Sequence, residues 1–213
     1  MVKAILFDMD GVVVDSEPLY MQAELRLFRA YGVEIPNEDW KLFRGCTEEE
    51  FYKTSMERYG ITEDEATFRQ KGKKLVFEVF KNHLQYMDGF LPLINTLRKH
   101  FITGLVTSSP RDVFEFVDSK LHLKKYFDRI IYGGMTQNGK PHPEPYLTIM
   151  KQMGVNSDEC VIVEDSIHGL NAGLASGAKV VALTGSISPE DMPVPHKIIH
   201  HLSEITCGAI SKL

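Results

Sequence analysis

Residues 1–18 read MVKAILFDMDGVVVDSEP. The run Val2–Phe7 is short and apolar on both faces of an extended chain, the pattern of a strand buried inside a parallel sheet. It ends on Asp8, and Asp10 and Gly11 follow at once. Ligands of open α/β sheets bind beyond the carboxyl ends of the strands, so two acids at that point stand where a ligand would sit. Gly11 lets the backbone turn tightly beside it.

Further runs of the same kind lie at Ile102–Thr107, Arg129–Tyr132, Cys160–Val163, Lys179–Leu183 and Lys197–His201. Helical stretches separate most of them. Those at 110–121 and 143–153 each open on a proline, which suits a first helical turn, and Gly154 follows the second as a C-terminal cap. The alternation predicts a three-layer α/β/α, Rossmann-like core built on a parallel sheet. About ninety residues separate the first two runs, whereas an ordinary βαβ unit needs only some tens, so a segment is inserted there.

The insertion, residues 16–87, reads as helix after helix. Capping boxes are expected at Thr47 with Glu50 and at Thr62 with Glu65, and helix ends at Gly32 and Gly60. Met21, Leu25 and Phe28 recur at helical spacing as its expected core, with Trp40 as packing. The expected organisation is a core of residues 1–15 and 88–213 and a helical cap of residues 16–87.

Composition narrows the function classes. A net charge of -5 over 213 residues offers no large basic surface, which argues against nucleic acid as a partner. The opening residues resemble neither a signal peptide nor a membrane span, and three scattered cysteines, Cys46, Cys160 and Cys207, form no disulfide framework. A cytoplasmic monomer with no membrane association is expected. The histidines at 142, 168, 200 and 201 lack metal-ligand spacing.

The polar residues that follow the apolar runs form one chemical set: Asp8 and Asp10, then Thr107, Ser108 and Ser109, then Lys140 in a later loop, then Glu164 and Asp165. Phosphoryl transfer asks for these parts, since its catalysis is mainly positioning and electrostatics. A carboxylate such as Asp8 can attack phosphorus to give an aspartyl phosphate, and Asp10 can move the protons. Converging carboxylates require a cation, and Asp8, Asp165 and Glu164 are hard oxygen ligands suited to Mg²⁺, with Mn²⁺ or Co²⁺ able to substitute. Thr107 offers a hydroxyl, Ser108 and Ser109 offer main-chain N–H groups and Lys140 a compact positive charge to a phosphate.

In this order the residues resemble the four motifs of haloacid dehalogenase-type phosphatases: Asp8-Met9-Asp10-Gly11-Val12, Leu105-Val106-Thr107, Gly139-Lys140-Pro141-x-Pro143 and Val161-Ile162-Val163-Glu164-Asp165-Ser166. The small residues from Gly169 to Gly177 are similar to the helix that follows in that family. The resemblance implies that Asp8 is nucleophile and metal ligand, and that Asp10 is acid/base and gives its main-chain carbonyl to the metal. Thr107 and Lys140 would hold the phosphate. The insertion resembles the cap of the β-phosphoglucomutase and sugar-phosphatase branch. Residues Asp15-Ser16-Glu17-Pro18-Leu19 look like its hexose- and hexitol-phosphate phosphatases, implying that Glu17 reaches substrate hydroxyls.

Three alternatives stand beside phosphomonoester hydrolysis: a sugar phosphomutase, a hydrolytic dehalogenase, and a metabolite-binding regulator without catalysis. Asp10 and Asp165 argue against the dehalogenase. A mutase grips a second phosphate and resembles a site with a basic cap, including an arginine soon after a glycine and a histidine after the hinge. Here Gly45-Cys46-Thr47 leads to Glu48 and Tyr20 stands at the histidine's place, with Arg44, Lys73 and Lys74 nearby. The expected substrate is therefore a small phosphorylated carbohydrate that gives its phosphoryl group to water.

Overall fold

The computed structural model describes residues 1–43, 48–185 and 192–213. Arg44, Gly45, Cys46 and Thr47, with the capping box expected at Thr47, lie outside the described residues. The chain divides into two compact units, one of Met1–Asp15 with Gln85–Leu213 and one of Ser16–Leu84. In chain order, β1 (Ala4–Phe7) is followed by α1 (Glu17–Ala30), α2 (Glu48–Tyr59) and α3 (Glu65–His83). Then come α4 (Phe90–Leu97), β2 (Ile102–Pro110), α5 (Arg111–Leu121), β3 (Arg129–Gly133), α6 (Glu144–Met153), β4 (Cys160–Glu164), α7 (Ile167–Ala175), β5 (Lys179–Leu183), β6 (Lys197–Ile199) and α8 (Cys207–Ile210). No helix among the described residues is long and apolar enough to cross a membrane.

The first unit is a six-stranded parallel sheet of order β3-β2-β1-β4-β5-β6. The chain steps from β1 through β2 to β3 in one direction and from β4 to β6 in the other. With right-handed crossovers, α4 and α5 then cover one face and α6 and α7 the other. Side chains alternate accordingly. Ala4 and Leu6 join Val106, Ile131 and Ile162 in a core with Tyr146, Ile149 and Met150 of α6 and Leu170 of α7. Phe7 points to the opposite face, where its ring meets Phe90 of α4 and Phe127. With both faces covered, β1 is apolar at every position.

The six expected strands all form, with ends that move by up to three residues. Pro110 and Pro143 each stand just before a helix instead of opening it, and Gly154 takes the expected left-handed cap conformation, with φ of 68°. That shift of one position is ordinary at helix ends.

The second unit packs α1, α2 and α3 around Leu27, Phe28, Phe43, Phe51, Tyr52, Ile61 and Phe68, with Trp40 against them. The Phe28 ring meets those of Phe43, Phe51 and Tyr59. Two expectations are corrected here. Met21, two turns before Phe28 near the start of α1, remains 42% exposed, and the buried residues of that helix are Ala23, Leu27 and Phe28. The capping box expected between Thr62 and Glu65 does not form, because α3 begins at Glu65. Its cap is Asp64, which accepts from the Thr67 main-chain N at 3.0 Å and from Thr67 Oγ1 at 3.1 Å.

Phe28→Ala should cost about 3–5 kcal/mol of stability, because a large fully buried ring is removed from close-packed neighbours; equilibrium urea unfolding checks this. Burial, with Glu17 adding to it, pushes the Glu24 carboxyl from the ordinary 4.5 up to about 7. An acid raised on folding binds more protons when folded, so its contribution to stability declines as pH rises from 4.5 through 7. Glu24→Gln should therefore gain on the wild type by about 1–2 kcal/mol between about pH 5 and about pH 8, after allowance for screening at a partly exposed site. Urea midpoints at both pH values measure the gap, and a constant gap contradicts it.

Candidate active site

Four expected site segments meet at the carboxyl ends of β1, β2 and β4, within the first unit. Asp8 leaves β1 with its main-chain N donating to Val163 O at 3.0 Å. The chain then doubles back, with Val13 N and Val14 N both donating to Met9 O at 2.9 and 2.8 Å. Gly11 sits in that turn with φ of 74°, and a Cβ there would overlap the Asp165 carboxylate. The glycine is required twice, by its backbone and by the approach of that carboxylate.

Lys140 lies in the loop after β3, only 7% exposed. Its Nζ donates to Asp8 Oδ1, to Val106 O at 2.8 Å and to Glu164 Oε1 at 2.6 Å, which occupies all three ammonium protons. The loop is tied down by Glu144, which accepts from the main-chain N of Gln137 and Asn138 at 2.9 Å each and from Asn138 Nδ2 at 2.8 Å. Those bonds hold the Glu144 carboxyl below the usual range. Burial alone would lower the Lys140 ammonium, but Asp8 and Glu164 outweigh it and hold it above the usual range.

Glu164 is fully buried at the end of β4. Besides Lys140, Oε1 accepts from Tyr146 Oη at 2.8 Å. Oε2 accepts from Asp165 N at 3.1 Å, Ser166 N at 3.3 Å and Ser166 Oγ at 3.1 Å. Ser166 Oγ in turn accepts from Gly169 N and caps α7.

Asp10 is held separately. Its Oδ2 accepts from Ser109 Oγ at 2.8 Å and from Thr107 Oγ1 at 3.4 Å. Ser109 N donates to Thr107 Oγ1 at 3.0 Å, so this donor, expected to face a phosphate, is turned inward by the short turn between the two residues. The Ser108 side chain is exposed. Glu17 belongs to the second unit, in the first turn of α1.

The metal-ligand set can be tested on this geometry. Asp8, Glu164 and Asp165 are all buried, and one oxygen from each lies within 4.8 Å of the others. Burial pushes the Asp8 carboxyl well above its usual range; Lys140 opposes this, while Glu164, Asp165 and Asp10 add to it. Among the described residues, one ammonium among four carboxyl groups leaves an excess of negative charge, and a small hard cation fits such an oxygen donor set.

Sequence reading missed Tyr146, the Ser109 hydroxyl and the role of Gly169. Tyr146 sits among the apolar residues of α6 and looks like core. The signal available for it was chemical: a fully buried phenol needs a hydrogen-bond partner. At Gly169, a Cβ would overlap the Glu164 carboxylate, which no sequence pattern displays.

Comparison with known proteins identifies the family of the chain. Residues 5–183 match the family model described as haloacid dehalogenase-like hydrolase. The chain is 32% identical over 177 residues to a phosphorylated carbohydrates phosphatase of Thermotoga maritima, covering 82% of each chain. It is 26% identical over 209 residues to a 6-phosphogluconate phosphatase of Escherichia coli, covering 96% of this chain and 93% of the relative. Among solved structures, a HAD hydrolase of family IA from Entamoeba histolytica is similar with a TM-score of 0.88 and 25% identity, covering 99% of this chain and 98% of the other.

Gly11→Ala and Gly32→Ala both place a side chain at positive φ, 74° and 69°. Only the first would strike a neighbour, since nothing lies within 4 Å of a Cβ at Gly32. Both should lose the roughly 1 kcal/mol of a left-handed alanine, and Gly11→Ala should lose clearly more. Paired denaturant titrations measure this, and equal losses refute the close approach.

Proposed function

Since the chain belongs to the haloacid dehalogenase-like hydrolases, we propose that it is a magnesium-dependent phosphatase of small phosphorylated carbohydrates, hexose and hexitol phosphates among them, acting through attack of Asp8 on phosphorus. The observation that carries this reading is the pairing of two carboxylates held in different ways. Asp8 faces the Lys140 ammonium, while Asp10 is held by two hydroxyls. A nucleophile and a proton carrier need such separate environments.

In the proposed cycle, the Asp8 carboxylate oxygen forms a bond to phosphorus as the ester oxygen leaves, giving an aspartyl phosphate. Asp10 gives a proton to the departing alkoxide and then takes one from the water that cleaves the acyl phosphate. Lys140 and Thr107 hold the equatorial phosphate oxygens and offset their charge. Mg²⁺ would be held by Asp8, Asp165 and the Asp10 main-chain carbonyl, with Glu164 as a further candidate ligand, and would supply charge neutralisation between an anionic nucleophile and an anionic substrate. The substrate class is supported by the relatives named for phosphorylated carbohydrates and for 6-phosphogluconate. Cys160 and Cys207 are free thiols, in keeping with a cytoplasmic setting.

Asp8→Asn should abolish phosphate release from a panel of sugar phosphates while leaving the fold intact, because an amide is a poor nucleophile. Exhaustive chelation should silence the wild type, with Mg²⁺ restoring it; activity that survives chelation defeats the metal assignment. With β-glucose 1-phosphate and a glucose bisphosphate primer, free phosphate should exceed glucose 6-phosphate. The reverse ratio would make the enzyme a mutase.

A further inference from the structure

Glu164 stands among the candidate metal ligands, but its carboxylate is already engaged on every side. It accepts from five donors: Lys140 Nζ, Tyr146 Oη, Asp165 N, Ser166 N and Ser166 Oγ. A carboxylate has about four lone-pair directions, so no direction is left over. Turning Oε1 to a cation would strip a hydrogen bond from the buried Lys140 or Tyr146, and turning Oε2 would strip one from the buried Asp165 N or the half-buried Ser166, which is costly where water replaces it poorly.

Two further residues are shaped around this carboxylate. Gly169, in the first turn of α7, lacks the Cβ that would overlap both of its oxygens. Tyr146 is fully buried and meets both members of the ion pair. Its hydroxyl donates to Oε1, the oxygen that Lys140 also uses, and its ring centroid lies 5.1 Å from Lys140 Nζ. A ring needed only for packing would have no use for the hydroxyl.

We propose that Tyr146 and Glu164 are positioning residues for Lys140, and that Glu164 is committed to this task and leaves the metal to Asp8, Asp165 and the Asp10 carbonyl. This rests on the reading above that Lys140 binds the transferring phosphate. Of the three Nζ bonds, the one to Asp8 is exchanged for a phosphate oxygen as Asp8 turns to phosphorus. The bonds to Glu164 and Val106 O remain and keep the ammonium aimed. Tyr146 restricts the Glu164 oxygen to the place from which it can do so.

The test titrates the full chain with Mg²⁺ and, at saturating Mg²⁺, with inorganic phosphate, alongside steady-state kinetics. Tyr146→Phe keeps the ring and removes the hydroxyl. It should weaken phosphate binding and lower kcat by about tenfold, the order of one hydrogen bond to a charged group, with the Mg²⁺ dissociation constant within about twofold of wild type. Unchanged phosphate affinity would reduce the hydroxyl to a satisfied core group, and a parallel loss of Mg²⁺ affinity would return Glu164 to the metal; either overturns the proposal. As a second variant, Glu164→Gln should lose less Mg²⁺ affinity than Asp165→Asn, and an equal loss overturns it as well. The titrations need no turnover. A wild type that binds both ions yet hydrolyses no phosphomonoester would defeat the phosphatase reading alone, and one that binds no phosphate would defeat both.

Discussion

A single ammonium, that of Lys140, lies buried against Asp8 and Glu164, with Asp165 beside them, and much of the first unit is arranged around keeping that set together. Buried like charges repel strongly where water cannot screen them, so each needs a partner at close range. The parallel register that puts Phe7 beside Leu105 and Val163 brings Asp8, Val106 and Glu164 to one level at the carboxyl ends of three strands. Lys140 reaches this level from a loop anchored by Glu144. Gly11 and Gly169 lack the side chains that would keep Asp165 and Glu164 away. Loss of the ammonium would leave carboxylates facing one another.

The same principle separates the two aspartates of the first motif. Successive Cβ atoms on an extended chain point apart, and residues two positions along point the same way. The turn after Asp8, drawn in by the bonds of Val13 and Val14 to Met9 O, breaks that simple relation. Asp8 faces a cation, whereas Asp10 faces the hydroxyls of Thr107 and Ser109. Identical side chains two residues apart thus have neighbours of different charge, and their proposed division into nucleophile and proton carrier follows from those neighbours.

The second unit has its own aromatic core and its own electrostatics. Asp39, buried there, takes two bonds from Arg58 and one from the Tyr59 hydroxyl, so its charge is matched within the unit. Glu24 is buried less favourably, which is why its carboxyl is displaced toward neutrality. The two cases differ by the presence of a geometrically matched guanidinium, since burial alone disfavours the charged form of any carboxyl.

What the sequence by itself determined is the class of fold and the principal chemical groups. Unbroken apolar runs such as Val2–Phe7 and Cys160–Val163 demand burial on both faces, and the acids that end them mark the ligand side of the sheet. Lys140 was legible through its neighbours Gly139 and Pro141 and its order among the motifs. Tertiary structure alone decided the relations among these groups: the commitment of all three Lys140 protons, the inward turn of the Ser109 donors to Thr107 and Asp10, and the engagement of Tyr146 with Glu164. The capping of α3 by Asp64 and the exposure of Met21 were likewise decided by where helices start and what packs over them. The physical reason is range. Hydrophobic periodicity and turn chemistry act over a few residues and leave a trace in the sequence, whereas hydrogen bonds between residues far apart in the chain exist only once the sheet has set their distance and direction.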